Sequence, residues 1–254
     1  MFSLRGKLGL VVGVANDQSI AYGCARAFHQ GGADLAITYM NAKAEAYVRP
    51  LAEKLGASLI LPLDVEKPGE LEAVFEEVSK RWGRLDFLVH SIAFAPKDDL
   101  HGRVTDCSRE GFQRAMDISC HSFMRMARLA EPLMNQGGCL LTMSYHGADE
   151  VVANYGMMGP VKAALQSATR YMASELGPKG IRVHAISPGP LATRAASGIK
   201  DFDNLMQEAK VRAPLNKLVD IEDVGALCAF LVSDGARSLT GGTIHVDGGY
   251  NIID

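Results

Sequence analysis

The sequence predicts an α/β fold: one doubly wound parallel sheet of the Rossmann type, with helices on both faces. Two observations carry this. Short apolar runs alternate with longer helical patterns from end to end, and several runs are continuously apolar. Strands buried on both faces of a parallel sheet read that way. Expected strands are 8–14 (LGLVVGV), 34–39 (DLAITY), 58–63 (SLILPL), 85–91 (LDFLVHS), 138–144 (GCLLTMS), 181–187 (IRVHAIS) and 243–248 (TIHVDG). Between them, helices are expected over 20–31, 41–55, 68–82, 108–135, 157–177, 203–212 and 221–233. Strand–helix repetition of this kind brings right-handed crossovers. No low-complexity linker and no repeat interrupts it, so residues 1–254 read as one domain.

Bulk properties narrow the function. With 254 residues and 48% hydrophobic content, the chain can bury a large core. Lys+Arg 26 against Asp+Glu 29 gives a net charge of −3, which does not suit a nucleic-acid partner. Cys24, Cys107, Cys120, Cys139 and Cys228 are scattered without a CxxC pair, favouring reduced thiols over disulfides or zinc; no metal site is expected. The opening MFSLRGKLGLVVGVAND briefly imitates a signal peptide, but the run is short and leads into Asn16-Asp17, so a first strand fits better. No apolar run approaches the roughly 18 residues of a membrane span. A cytoplasmic protein is expected.

Open α/β sheets bind ligands beyond the carboxyl ends of their strands. The first strand ends in GVANDQSIAYG, which lacks a strict GxGxxG. Gly13 permits a tight turn near a pyrophosphate, and Ser19 stands where it would cap the helix opening at Ile20. A purely structural turn explains the loop equally well. The second strand ends at Met40-Asn41, with no charge for a ribose hydroxyl or a 2′-phosphate, and Lys43 is the nearest cation. That leaves the cofactor choice open, leaning to NADH over NADPH because no Arg stands ready. Asp64-Val65 follows the third strand, where it suits an adenine edge or an ordinary turn. Ser91 onward, Ser144-Tyr145 and Ser187 onward follow the later strands.

The combination GVANDQSIAYG, HSIAFAP (90–96), LTMSYHGA (141–148), NYGMMGPVKA (154–163), ISPGPLATRAASGI (186–199) and IEDVGALCAFLVSD (221–234) resembles the bacterial enoyl-acyl-carrier-protein reductases of the short-chain dehydrogenase superfamily. The resemblance runs nearly the full length. It implies NADH-dependent reduction of the trans-2 double bond of enoyl thioesters in fatty-acid elongation, with enoyl-acyl carrier protein as substrate. By position, it implies Tyr145, Tyr155 and Lys162 as catalytic residues. Gly13, Ser19, Ile20, Met40, Asp64, Val65, Ser91, Ile92 and Lys162 fall on cofactor contacts, with Leu191, Ala192, Thr193, Arg194 and Ala195. Ala95 falls on a substrate contact, alongside Tyr145, Tyr155 and Met158. It also implies a homotetramer.

One spacing separates this reaction from a carbonyl reduction. An ordinary short-chain dehydrogenase places its Tyr four residues before the Lys, where this chain has Met158; Tyr155 stands seven before Lys162. A carbonyl reductase serves the oxygen on the carbon that receives hydride. An enoyl reductase delivers hydride to C3 while charge develops on the C1 oxygen, roughly 2 Å farther away. On a helix four residues rise about 6 Å and seven about 10 Å, and seven turn only about 20° short of two full turns. The displaced Tyr therefore suits the displaced oxygen.

Other readings remain beside it. Tyr145 and Tyr155 as packing residues, with Lys162 a solvated helix charge, would leave a nucleotide-binding redox sensor without turnover. An ordinary carbonyl or hydroxyl dehydrogenase is the nearest enzymatic rival. His90, His121 and His184 read as structural, His146 as a pocket neighbour and not a base, and KDDLHGRVTD (97–106) as a solvated loop. Four positions depart from the family pattern. Pro160 replaces an aliphatic residue and fits if its helix starts near Met157, Met40 replaces a more polar residue, and Asp203-Asn204 stand where relatives carry basic residues. TRAASGIKDFDN (193–204) is expected to be a mobile substrate loop. The apolar tail Ile244, Val246, Tyr250, Ile252 and Ile253 is expected to be buried, in its own core or against a partner.

Overall fold

The computed structural model describes residues 3–193 and 201–253. Seven strands form one parallel sheet in the order β3-β2-β1-β4-β5-β6-β7. They are β1 (Leu8–Val12), β2 (Asp34–Tyr39), β3 (Leu59–Pro62), β4 (Phe87–His90), β5 (Gly138–Met143), β6 (Ile181–Pro188) and β7 (Thr243–Val246), each ending within two residues of an expected run. β1 shows why these runs are continuously apolar: Val11 enters the core on one face, Leu10 and Val12 the core on the other. Gly9 leaves room for the fully buried Phe87 ring, since a Cβ there would lie 2.0 Å from it.

Helices α1 (Ile20–Gly31), α2 (Ala42–Lys54) and α9 (Ile221–Val232) cover the first face. α3 (Glu70–Trp82), α6 (Ser122–Ala130) and α7 (Met158–Leu176) cover the second. The α1–α9 crossing is close because both helices present glycine. A Cβ on Gly225 would lie 2.4 Å from the Gly23 carbonyl oxygen, and one on Gly23 would lie 2.3 Å from that of Ile221. Local signals fix the helix starts: the Asn41 side chain accepts the Ala44 N–H, and Asp220 and Asp223 form a capping box. Such caps contribute about 1 kcal/mol each.

Two expectations need correction. The 108–135 helix is not continuous: α5 (Arg109–Met116) passes through a π-helical turn, Asp117–His121, into α6, and a 3₁₀ turn Glu131–Leu133 follows. Inside the widened turn Ser119 is fully buried; its hydroxyl accepts the Phe94 N–H at 2.9 Å and donates to the Phe94 carbonyl at 3.2 Å. The 97–106 run is solvated but not a loop, forming α4 (Lys97–His101) and a 3₁₀ turn Val104–Asp106. Asp99 orders it by accepting from the Ser108 N–H and hydroxyl. Helix α8 (Phe202–Arg212) begins one residue before the expected start.

The strand order reverses at β1, which pairs with β2 on one side and β4 on the other. A crevice between the carboxyl ends of β1 and β4 follows from that reversal.

Candidate active site

Gly13 sits in this crevice at φ +108, and a Cβ there would lie 2.1 Å from the Ser91 carbonyl oxygen. Only glycine meets both demands, so the β1 and β4 ends approach closely and bring Gly13, Ser91 and Ile92 together. Ser19 lies at the N-cap of α1, but its side chain does not cap the helix. Its hydroxyl instead donates to the Asn16 carbonyl at 2.6 Å and accepts the Ala15 N–H at 3.3 Å, so it ties the loop to itself. The N–H groups at the start of α1 are thereby left without a side-chain cap. Ile20 opens that helix, half-buried.

At the end of β2, Met40 is 55% exposed and Asn41 is committed to capping α2. Asp64 forms a turn, its Oδ1 accepting the Glu66 N–H at 3.1 Å; buried Val65 offers its carbonyl to Arg125 at 2.7 Å. Beyond β6, Leu191 is buried, Ala192 exposed and Thr193 half-buried. Arg194, Ala195 and most of the expected mobile loop lie outside the described residues, as do Lys200 and the Asp203 side chain.

The residues expected to be catalytic gather after β5. The Ser144 N–H donates to the Ile186 carbonyl at 2.6 Å, and Tyr145 continues in extended backbone into a 3₁₀ turn, His146–Ala148. Tyr155 does not stand on a helix. It lies three residues before α7, between Asn154 at φ +61 and Gly156 at φ +50, so the straight-helix account of the seven-residue spacing does not hold for its first part. The two left-handed residues fold the phenol inward. Its ring packs on Gly147, where a Cβ would lie 2.4 Å from Tyr155 Cδ1. The Tyr145 and Tyr155 ring centres are 4.7 Å apart. Ala95, Tyr145, Tyr155 and Met158 join one apolar cluster with Ala115, Met157 and Val161. Pro160 falls in the first turn of α7, where no intrahelical N–H bond is lost.

Electrostatics here are governed by burial. Desolvation pushes both phenols far above their ordinary range, most strongly Tyr155, with Tyr145 adding to it. Both are phenols at neutral pH. The Tyr145 hydroxyl is buried without a protein partner. Lys162 is 4% exposed; its ammonium donates to the Met143 carbonyl at 2.6 Å, and burial lowers its pKa to about 8. The fit to a dinucleotide rests on this buried cation beside a crevice where a Cβ at Gly13 has no room.

A profile of the family described as Enoyl-(Acyl carrier protein) reductase matches residues 13–251. The chain belongs to the enoyl-acyl-carrier-protein reductase family. The enoyl-[acyl-carrier-protein] reductase [NADH] of Salmonella typhimurium is 48% identical over 98% of this chain and 95% of its own length, and that of Escherichia coli 47% over the same shares. Among solved structures, the Bacillus cereus enoyl-acyl carrier protein reductase with NADP+ and an indole naphthyridinone has a TM-score of 0.97 at 46% identity, covering 100% of both chains. The Anaplasma phagocytophilum reductase in complex with NAD has a TM-score of 0.96 at 44% identity, covering 100% of this chain and 97% of its own.

In this family member, sequence reasoning missed three supports of the site. Ser119 fixes the Phe94 backbone beside Ala95, and nothing local in DISCHSF signals a partner 25 residues away. Gln166 donates to Ser144 at 3.0 Å and Asp149 at 3.2 Å; its place one helical turn after Lys162 was the available signal. Tyr250 reaches His146, with ring centres 5.6 Å apart. His90 is a structural residue, bridging Thr142 Oγ1 and Ser122 Oγ at 2.8 Å each, and exposed His121 pairs with Asp117. Among the described residues, no group of His, Cys, Asp or Glu is placed to hold a metal ion.

Proposed function

We propose that this chain reduces the trans-2 double bond of enoyl thioesters borne on acyl carrier protein, with NADH as reductant. The observation that carries the reading is the replacement of a hydroxyl by buried Met158 four residues before Lys162, with Tyr155 buried against Tyr145 in an apolar pocket. When bound, the dinucleotide supplies the hydride that reaches C3. Tyr155 donates its hydrogen bond to the thioester oxygen as charge develops there, with Tyr145 beside it. Lys162 holds the ribose hydroxyls, and C2 is protonated afterwards. Gly13, Ser19, Ile20, Ser91 and Ile92 line the nucleotide crevice, followed by Asp64-Val65 and 191–193. Met158 and Ala95 bound the acyl chain, and their apolar cluster excludes water from the reacting carbons.

NADH is preferred because the end of β2 offers no cation: Met40 is exposed and Asn41 is occupied as a cap. Residues 1–254 work as one catalytic domain. We place the protein in the cytoplasm as a homotetramer. In support, all five cysteines are free, and no helix among the described residues is long and apolar enough to cross a membrane. Ile244 and Val246 pack against the chain's own core, whereas Ile252, 72% exposed, and Ile253, 41% exposed, do not and suit a partner copy. Light scattering at micromolar concentration should give four chain masses.

Following NADH and NADPH oxidation, separately with crotonyl and acetoacetyl thioesters, tests the reading. Turnover of crotonyl thioester alone is expected. Turnover of acetoacetyl thioester alone would make it a carbonyl reductase, and NADH binding without either turnover a sensor.

A further inference from the structure

Tyr145 has an extended backbone, φ −160 and ψ 153, so side chains 145 and 146 leave the chain on opposite sides. Tyr145 turns to Tyr155. His146 turns away and meets the Tyr250 ring edge-on, at an interplanar angle of 68°. The same ring carries the Arg212 guanidinium, 5.5 Å from its centre. Arg212 is the last residue of α8; it also donates to Glu208 at 2.8 Å and to the Ile253 carbonyl at 3.1 Å. Tyr250 itself is held from below. The Asp247 carboxylate accepts the Gly249 and Asn251 N–H groups at 2.9 Å each, and Gly248 and Gly249 take φ +67 and +88 to make the turn.

Three segments distant in sequence therefore meet on one ring: the catalytic corner after β5, the end of α8, and the turn after β7. We propose that Tyr250 is a positioning residue that ties α8 to the catalytic corner and sets the direction of the Tyr145 phenol. The kinetic part rests on the reductase reading above; the structural tie does not. Among the described residues the Tyr145 hydroxyl has no hydrogen-bond partner to fix it, so its aim depends on the backbone at 145–146. That backbone is braced through His146, whose side chain is 12% exposed. Small misplacement of a donor at a reacting centre lowers rates by large factors, whereas the Gly13–Ser91 approach is made by β1 and β4, three strands from the β7 turn that carries Tyr250.

Two measurements test this. Tyr250→Phe keeps both ring contacts and should behave as wild type. Tyr250→Leu removes the ring and should lower kcat on crotonyl thioester about tenfold with the Kd for NADH unchanged. Arg212→Met should give a smaller loss, and adding it to Tyr250→Leu should lower kcat little further, because both cut one tie. Independently of turnover, amide exchange at Ala148 and Asp149, whose N–H groups bond Tyr145 and His146 carbonyls at 2.9 Å, should quicken in Tyr250→Leu and Arg212→Met but not in Tyr250→Phe. Unchanged exchange in Tyr250→Leu overturns the tie. Quickened exchange with kcat within twofold of wild type overturns the positioning role. A wild type inert on crotonyl thioester would refute the reductase reading and leave the exchange result to decide the tie.

Discussion

Lys162 is a charge held in a place that disfavours it. A lysine whose folded pKa is about 8, against an ordinary value of 10.5, contributes stability that is present above about pH 10.5 and lost as pH falls through 8. At neutral pH the ammonium therefore weighs against the fold, on the order of 3 kcal/mol. Lys162→Met should raise the thermal midpoint of the ligand-free protein by roughly 5 °C while abolishing NADH binding; a lower midpoint would contradict this account. Tyr155→Phe should leave NADH affinity nearly unchanged and lower turnover by about 10²–10³, the usual loss on removing an oxyanion donor. Tyr145→Phe should be milder, and steady-state kinetics decide both. Tyr155 and Lys162 were proposed from their seven-residue spacing and Tyr145 from the family resemblance, and the structure brings the two tyrosine rings within 4.7 Å. Ser19 was legible in place but not in action, since loop geometry turned its hydroxyl away from the helix it precedes.

Elements were legible wherever a single face rule applied. The inner strands appear as apolar runs because both faces of each are covered, β7 alternates with Ile244 and Val246 on the core, and α7 begins where Pro160 requires. The π turn at 117–121 was not legible, because apolar periodicity does not distinguish one extra residue in a turn, and the bond that rewards it joins Ser119 to Phe94. α4 was hidden by its charges, which gave it no apolar stripe. Close approaches leave a sharper mark. Gly13→Ala faces both a left-handed backbone and a contact of 2.1 Å with Ser91, so NADH affinity should fall at least about tenfold, as titration calorimetry would show. Gly225→Ala forces α1 and α9 apart at the Gly23 carbonyl. It should lower unfolding free energy by about 1–3 kcal/mol while NADH affinity of the folded fraction is kept, and a urea midpoint equal to wild type would rule this out.

Across the whole molecule, two buried histidines set the acid limit of the fold. Burial lowers His90 to about 3 and His184 to about 4, from 6.5. Both are neutral inside, so the unfolded chain takes up protons first. Their stability contribution is whole above pH 6.5, shrinks as pH falls, and is lost once pH passes the folded values. The unfolding free energy from urea titration should drop between pH 7.5 and pH 5, by roughly 2 kcal/mol per histidine; a flat profile would count against it. The strand order has a consequence for how the protein is made. β1 to β4, with the crevice where Gly13 meets Ser91, precede β5 in the chain, whereas Tyr250 follows all seven strands. Chains fold from the amino end as they are synthesised. The crevice strands are thus made before Lys162, and Tyr250 is added only after the sheet's far edge, so on the roles proposed both the hold on cofactor and the aim of Tyr145 wait for the carboxyl-terminal half of the chain.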